Sequence, residues 1–334
     1  MSKQAPGRRA TLKEVAKAAG VSLASASYAI NGTGSVGDQT REHVLAVAAR
    51  LGYRPNQNAK AMKTGRTGTI GLVLPDLTNP FFPALAQAVI QAARGHGYSV
   101  LLTDTEGEPE AERHAIDLLA GRGVDGLVWF PIADDGALPM LAEGIPAVVL
   151  DRALPGYDVI QADYAEGGRL AADHLLSLGH VDIGVISGPH AASSARARAD
   201  AAIGVIRQRG RLAWHVDNAF SLDLEPSVME ALDARTATAV IAGADLIAIG
   251  AIRHLQARGL SVPGDVSVIG FDDIPWAPLH NPPLSTIDMP VEEMAVEAVD
   301  ILLNRIAQRG ETRRRVVFNV ALVARGSTGL VRKP

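Results

Sequence analysis

The chain contains no cysteine. That excludes disulfides and thiolate metal sites and leaves nothing to suggest an oxidising compartment. Aromatic residues are scarce, at 4% of 334, so a chain that is 47% hydrophobic must fill its core with Ala, Val, Ile and Leu. No stretch approaches the roughly 18 consecutive apolar residues of a membrane span. The opening MSKQAPGRRA has no apolar signal-peptide core, and a soluble, cytoplasmic protein without a membrane partner is expected. There is no G-x-x-x-x-G-K-[ST] loop, no H-E-x-x-H and no G-x-S-x-G elbow, and the glycines at 65, 68 and 71 do not follow a strand. The nine histidines lack metal-ligand spacing; His174 and His180 flank a helix end, where capping is expected. With no nucleophile, base and oxyanion site in view, neither an enzyme nor a cofactor or metal is expected.

Charge is present in quantity and segregated. Residues 1–66 carry eleven Lys/Arg and three Asp/Glu, whereas the remainder carries 21 and 33. A small basic head on a larger acidic body is the pattern of a polyanion-binding module attached to a soluble domain.

Within that head, TLKEVAKAAGVSLASASYAIN (residues 11–31) reads as two short helices. Thr11 and Glu14 have capping-box spacing. Leu12, Val15, Ala16 and Ala19 form an apolar face, Gly20 can end the helix, and Ser22 can cap a second one with Leu23, Ala26, Ala29 and Ile30 inward. Helices joined this way make a helix-turn-helix, whose second helix can enter a DNA major groove. An ordinary helical hairpin fits the same pattern, and it is the flanking charge that favours DNA. A third helix is expected from Asp38 to Leu51, with Val44, Leu45, Val47, Ala48 and Leu51 inward and Gly52 as its stop. Beyond Pro55, Asn56 can cap a helix of about two turns, too short to persist alone in water; a plain linker fits as well.

From Thr69 onward short β-branched runs alternate with helical stretches: IGLVLPD, YSVLLTD, GLVWFP, PAVVLD, VIQAD, IGVISG, AVIAGAD and SVIGFDD. This is the pattern of buried parallel strands in a doubly wound α/β body, with too many strands for one ordinary sheet, so two similar lobes are expected. Asp76, Asp104, Asp151, Asp163, Asp245 and Asp272 fall at or just beyond strand carboxyl ends, where open α/β sheets bind ligands. Taken singly, each is better read as a cap or turn former; together they make an acidic pocket mouth.

TLKEVAKAAGVS, TREHVLAVAARLGYRPN, TGRTGTIGLVLPDLTNPFF, GGRLAADHLLSLGH and SVIGFDD, spread from Thr11 to Gly326, together resemble the LacI/GalR family of bacterial transcription regulators. The resemblance implies an all-α helix-turn-helix DNA-binding head (1–54), a hinge helix and linker (55–68), and a two-lobed α/β body like periplasmic sugar-binding proteins (69–330). Lobe 1 would hold about 69–161 and 291–322, and lobe 2 about 162–290 and 323–330. It further implies a homodimer, often a repressor, that binds a near-palindromic double-stranded operator on the nucleoid and a small effector, with a sugar or related polyol favoured, between the lobes. No heptad run follows Gly326, so a dimer is expected rather than a dimer of dimers.

Carried over by position, the family's base readers fall on Leu23, Ala24 and Tyr28, its DNA-backbone contacts on Ser22, Ser25, Ser27 and Asn31, and a further DNA contact on Thr11. Asn56 and Ala59 are hinge contacts, and Met62 is the minor-groove wedge. Leu23 also fits a packing residue, and Met62 a buried contact of the head. Effector contacts fall on Asn79, Phe81, Phe82, Asp151, Arg198, Phe220, Asp245 and Asp272. Trp129 and Trp276 fit either the cleft or the core. The departures are Leu23 and Ala24, which offer only apolar contact, Tyr28, which lacks a guanidinium fork, and Tyr164 and Ala244 in place of frequent Asn. The sequence Ala-Asp-Ala-Ala after Arg198 departs as well. A solute receptor without DNA function and an α/β hydrolase are rival readings. The basic head and missing leader oppose the first, and the missing catalytic constellation opposes the second.

Overall fold

The structure is a computed structural model that describes residues 10–32, 34–54, 65–133, 144–308 and 312–332. The chain divides into two compact units, Met1–Thr67 and Gly68–Pro334. The expected hinge helix, with Asn56, Ala59 and Met62, lies outside the described residues.

In the first unit, α1 spans Leu12–Ala19, α2 Leu23–Asn31 and α3 Asp38–Arg50. The capping box is present: Glu14 N donates to Thr11 Oγ1 (3.3 Å), and Thr11 N donates to Glu14 Oε2 (2.7 Å). Gly20 ends α1 and Gly32 ends α2, both at φ 66°, a left-handed conformation that glycine adopts without steric cost. Val15, Ala16, Ala19, Ala26, Ala29, Val44, Val47 and Ala48 form the core. Side chains this small let three short helices approach closely but bury little area, so the unit has a thin core. Leu23, expected inward, is 52% exposed, and Leu45 and Leu51 of the third helix are also exposed. The helices turn narrower faces inward than their apolar periodicity suggests.

The second unit is built on two parallel sheets. β1 (Thr69–Leu74), β2 (Ser99–Asp104), β3 (Gly126–Trp129), β4 (Ala147–Leu150), β5 (Asp158–Ala162) and β11 (Arg315–Phe318) form one, in the order β11-β5-β4-β3-β1-β2. β6 (Asp182–Ser187), β7 (Arg211–Asp217), β8 (Ala239–Ala242) and β9 (Ser267–Ile269) form the other, in the order β7-β6-β8-β9. β10 (Thr286–Asp288) pairs antiparallel with β12 (Ala321–Val323). The helices are α4 (Phe81–Gly95), α5 (Pro109–Gly121), α6 (Tyr164–Ser177), α7 (Ser193–Arg209), α8 (Pro226–Asp233), α9 (Asp245–Ala257) and α10 (Val291–Ile306). The central strands are buried throughout, as their β-branched runs require. β2 differs: it is an edge strand, and Leu101 and Leu102 remain exposed. The chain passes between the two sheets three times, after β5, between β10 and α10, and between β11 and β12.

Two polar anchors hold distant segments together. The buried carboxylate of Asp158 accepts from Arg305 Nε (2.7 Å) and Nη2 (2.8 Å), Arg313 Nη1 (3.2 Å) and Arg314 N (2.9 Å). Burial pushes its pKa up, but these donors outweigh burial and hold it below its ordinary value. The second anchor corrects the expected capping role of His174 and His180. The buried His180 ring meets Thr238 Oγ1 (3.0 Å), Ser267 Oγ (3.0 Å) and the Gly329 carbonyl (3.1 Å), while His174 Nε2 meets Thr328 Oγ1 (2.8 Å). The helix end is served by their backbones instead: His180 N donates to Leu175 O (3.2 Å), and His174 O accepts from Leu178 N (3.2 Å).

Burial lowers the His180 pKa below 6.5, and the Gly329 carbonyl opposes this. The unfolded chain therefore takes up the proton first, so this residue's contribution to stability is complete above 6.5 and declines as the pH falls toward the folded-state value. A His180→Gln variant loses the ring's contacts at every pH but escapes that decline. In urea unfolding, the stability gap between wild type and variant should narrow from pH 7.5 to pH 5.5; a constant gap overturns the assignment.

Candidate functional site

On α2, the residues turned away from the core are Leu23, Ala24 and Tyr28, the last 46% exposed, with Asn31 one turn further on. Ser22 is the helix cap: its Oγ accepts from Ser25 N (3.0 Å) and lies 2.8 Å from Ser25 Oγ. The Asn31 amide donates to Ser27 O (2.8 Å) and Ser27 Oγ (3.3 Å). The Tyr28 ring is positioned by Gly34 (φ 73°), where a Cβ would come within 2.9 Å of the ring. The outward face is thus apolar with one phenol. Lys13, Lys17, Arg41, Arg50 and Arg54 lie on the same small unit.

In the second unit, a cavity of about 500 Å³ collects Asn79, Phe81, Phe82, Asp151, Arg198, Phe220 and Asp272. Seven of the eight expected effector contacts therefore share one space. Asp151 follows β4 at φ 73° and Asp272 follows β9 at φ 110°. Both are strained positions for a non-glycine residue, of the kind that clusters at binding sites. Ser194 and Arg198, one turn apart on α7, face the same cavity.

The charges in this wall are paired. Arg198 Nη1 donates to Asp272 Oδ1 (3.0 Å) and Gly243 O (2.7 Å), and its guanidinium lies 3.9 Å from the Phe271 ring centroid and 4.8 Å from that of Tyr164. Burial pushes the Asp272 carboxyl up to about 6 despite Arg198 beside it. Arg152, absent from the sequence-based expectations, pairs with Asp151 Oδ2 (2.6 Å) and donates to Ser194 Oγ (2.9 Å) and Ile132 O (3.3 Å). Ser194 Oγ in turn donates to Asp151 Oδ2 (3.1 Å), so the end of β4 is tied to the first turn of α7. Burial, and next the negative charge of Asp151, hold the Tyr164 phenol well above its ordinary pKa.

Glycines set this geometry where helices or rings come closest. A Cβ at Gly168 would sit 2.1 Å from Arg198 O, so α7 lies against α6 only because residue 168 has no side chain. A Cβ at Gly188 would sit 2.3 Å from the Phe220 ring. On the opposite sheet, Phe81, Phe82 and Phe130 pack edge to face, with centroids 5.0–6.3 Å apart. Asn79 caps the approach to α4, its Oδ1 accepting from Phe81 N (3.1 Å).

Asp245, the eighth expected contact, does not line the cavity. It is fully buried, accepting from Thr286 Oγ1 (2.6 Å) and Ile274 N (2.9 Å). Burial first, and then the charge of Asp272, raise its pKa well above the ordinary value. It fastens β10 and the 274 loop to α9. Trp129 belongs to the core, donating to Glu112 Oε1 (2.8 Å), and Trp276 is exposed outside the cavity. Of the remaining strand-end acids, Asp76 also lines the cavity, while Asp104 accepts from Leu77 N and Glu106 N and Asp163 caps α6.

Ser187, His215 and Asp217 meet at one edge, but Ser187 Oγ donates to Asp217 Oδ1. Both oxygens also face the same His215 nitrogen, at 3.1 and 3.7 Å, so no serine–histidine–carboxylate relay is formed. Among the described residues no group of three or more His, Asp or Glu could hold a metal, and no helix is long and apolar enough to cross a membrane.

A basic helix-turn-helix unit carried in one chain with an α/β body that encloses a cavity between two sheets defines a ligand-binding type of bacterial DNA regulator. Residues 11–56 match the lacI family of bacterial regulatory proteins, and residues 172–328 match a periplasmic binding protein-like domain. The chain is 36% identical to the transcriptional regulator MalR of Streptomyces coelicolor, covering 95% of this chain and 96% of that one. It superposes with TM-score 0.86 on a lac repressor dimer bound to operator and the anti-inducer ONPF, at 29% identity over 96% of this chain and all of that one. A CelR–cellobiose complex aligns with TM-score 0.71 at 29% identity over 96% and 100% of the two chains. The chain belongs to the LacI family and is a transcriptional regulator of that family.

Arg198→Met should test the paired wall directly. Removing the cation raises the Asp272 pKa further, so at neutral pH the variant must protonate this buried carboxyl or hold it unpaired, at a cost of about 3 kcal/mol. A carboxyl whose folded pKa is raised stabilises less as the pH rises through that value. The loss measured by urea unfolding should therefore be larger at pH 8 than at pH 5. An equal loss at both contradicts the coupling.

Proposed function

We propose that the chain is a sequence-specific DNA-binding repressor whose hold on a near-palindromic operator is set by a small effector, a sugar or related polyol, in the cavity between the two sheets. It acts as a cytoplasmic homodimer made of a head (1–54), a hinge segment (55–68) and a body (69–330). Leu23, Ala24 and Tyr28 read base edges, with Leu23 and Ala24 suited to thymine methyl groups. Ser22, Ser25, Ser27 and Asn31 contact the DNA backbone, Thr11 makes a further DNA contact, and Asn56, Ala59 and Met62 act from the hinge, Met62 as a minor-groove wedge. Asn79, Phe81, Phe82, Asp151, Arg198, Phe220 and Asp272 hold the effector. Such a ligand acts only through its differing affinity for the two lobe arrangements.

The observation that carries this reading is the outward face of α2. Leu23 and Tyr28 are large apolar residues left exposed on a basic unit whose core is complete without them. The similarity to a repressor solved on its operator and to a regulator solved with cellobiose supports the two ligands. Support for the homodimer comes from exposed apolar residues on the body, Leu101 and Leu102 on edge strand β2 and Trp276 and Leu279 at a short 3₁₀ turn, Ala277–Leu279. An open strand edge of this kind needs a cover.

Operator selected from a random pool should bind full-length protein with affinity falling roughly a thousandfold between 50 and 200 mM salt. Leu23→Ser should weaken that operator about tenfold and leave random-sequence binding unchanged, for a loss of about 1–3 kcal/mol of discrimination. A flat salt response, or equal losses on both DNAs, rejects the reading. In sedimentation, Leu101→Lys with Leu102→Lys should shift the dimer toward monomer; an unchanged dimer would remove β2 from the interface.

A further inference from the structure

The loop after α2 folds back over the face that this helix presents. Gly32 takes the left-handed conformation that ends α2, and its N–H donates to the Tyr28 carbonyl. Gly34 is left-handed as well, at φ 73°. Two residues further on, Val36 packs against the core of the unit, and the Gly37 carbonyl accepts from Arg41 N (3.0 Å) at the start of α3. Gly34 is therefore held between two fixed ends, and what it is held against is the Tyr28 ring. A Cβ at residue 34 would lie 2.9 Å from Tyr28 Cγ, 3.0 Å from Cδ2 and 3.1 Å from Cδ1. Carbon atoms pack at about 3.5–4.0 Å, so any side chain here displaces the ring. Only glycine combines that close approach with an unstrained left-handed backbone.

The rest of Tyr28 is open, with 46% of the residue exposed. Polar neighbours on the helix are engaged elsewhere: the Asn31 amide donates to Ser27 O and Oγ, and Ser22 Oγ accepts from Ser25 N. Among the described residues the Tyr28 hydroxyl has no hydrogen-bond partner. Tyr28 thus joins a ring fixed from one side to a free donor and acceptor. A phenol has one O–H and lacks the two parallel donors of a guanidinium. A single hydrogen bond to a base edge tells bases apart only where its direction is already set. A side chain confined beforehand also loses less freedom on binding.

From this we infer that Gly34 is a positioning residue for operator recognition: it fixes the Tyr28 ring, and so sets which base pair the phenol prefers. The loop backbone supplies the direction that the second bond of a guanidinium fork would otherwise give. The inference rests on Tyr28 being a base reader.

The test is operator selection from a random pool by full-length protein, followed by affinities for every single-base-pair change in one half-site. Wild type is compared with Tyr28→Ala, Gly34→Ala, Gly34→Asn and the double variant Tyr28→Ala, Gly34→Ala. Asn adopts a left-handed backbone more readily than Ala, so Gly34→Asn separates crowding of the ring from backbone strain. Tyr28→Ala should abolish a preference of about tenfold at one base pair. Both Gly34 variants should abolish the preference at that same base pair and leave the others in place. The double variant should bind no more weakly than Tyr28→Ala alone, because both changes act through one ring. Removing the ring also removes the clash, so the double variant reports even where crowding costs the head its fold.

Gly34 variants that keep the wild-type preference at the Tyr28 position overturn the inference. So do losses that add in the double variant, which mark a purely structural role for the loop. Failure of the underlying reading has a different signature: Tyr28→Ala then leaves every base preference as it was.

Discussion

A guanidinium group buried in a protein wall needs a partner for its charge, and the body is arranged around meeting that demand for Arg198. Its charge meets Asp272, a second donor contact goes to the Gly243 carbonyl, and its faces lie against Phe271 and Tyr164. These partners come from three parts of the fold: Phe271 and Asp272 from the end of β9, Gly243 from the end of β8, and Tyr164 from the start of α6. α7 can bring the arginine there only because residue 168 of α6 is glycine. The cost of an unmatched buried charge, several kcal/mol, is large against a folding free energy of about 5–15 kcal/mol. Losing the position held by the strained backbone at Asp272 would leave that charge with only the Gly243 carbonyl and the rings.

The same logic separates the two units. The head has a core of alanine and valine, and leaves Leu23 and Tyr28 exposed on α2. The body keeps its large aliphatic residues in two layered cores and spends its polar residues on strand ends, where backbone hydrogen bonding stops and a ligand can enter. Affinity for a polyanion can come from a handful of surface cations on a small scaffold. Recognition of a small molecule needs a deep cavity, and so a large scaffold.

Much of this could be read directly from the chain. The capping box at Thr11 and Glu14, the glycine stops at 20 and 32, and the β-branched runs of β1, β3, β4, β5, β6 and β8 are local signals, and local signals survive folding. Seven expected ligand contacts share one cavity because strand ends in a doubly wound sheet converge. What could not be read depends on non-local pairing. Asp245 carries the same strand-end signature as Asp272, yet a hydroxyl 41 residues away, on Thr286, holds it in the core. Arg152 has no periodicity to announce it, and its only local cue is its position directly after Asp151. β7, with the sequence RLAWHVD, mixes charge and aromatic residues because it lies at a sheet edge, so no apolar run marks it. Leu45 and Leu51 satisfy a helical period but lie beyond the width of the contact that α3 makes.

The knot of hydrogen bonds around His180 has a consequence for how the molecule comes into being on the ribosome. Ser267 and Gly329 both meet that ring, Ser327 bonds Ser285 and Val268, and β12 is the partner of β10. The first sheet likewise waits for β11. A growing chain can therefore finish its helical head early, while the first sheet and the β10–β12 pair stay open until β11 and β12 have emerged. Until then the polypeptide is a completed head trailing an unfinished body.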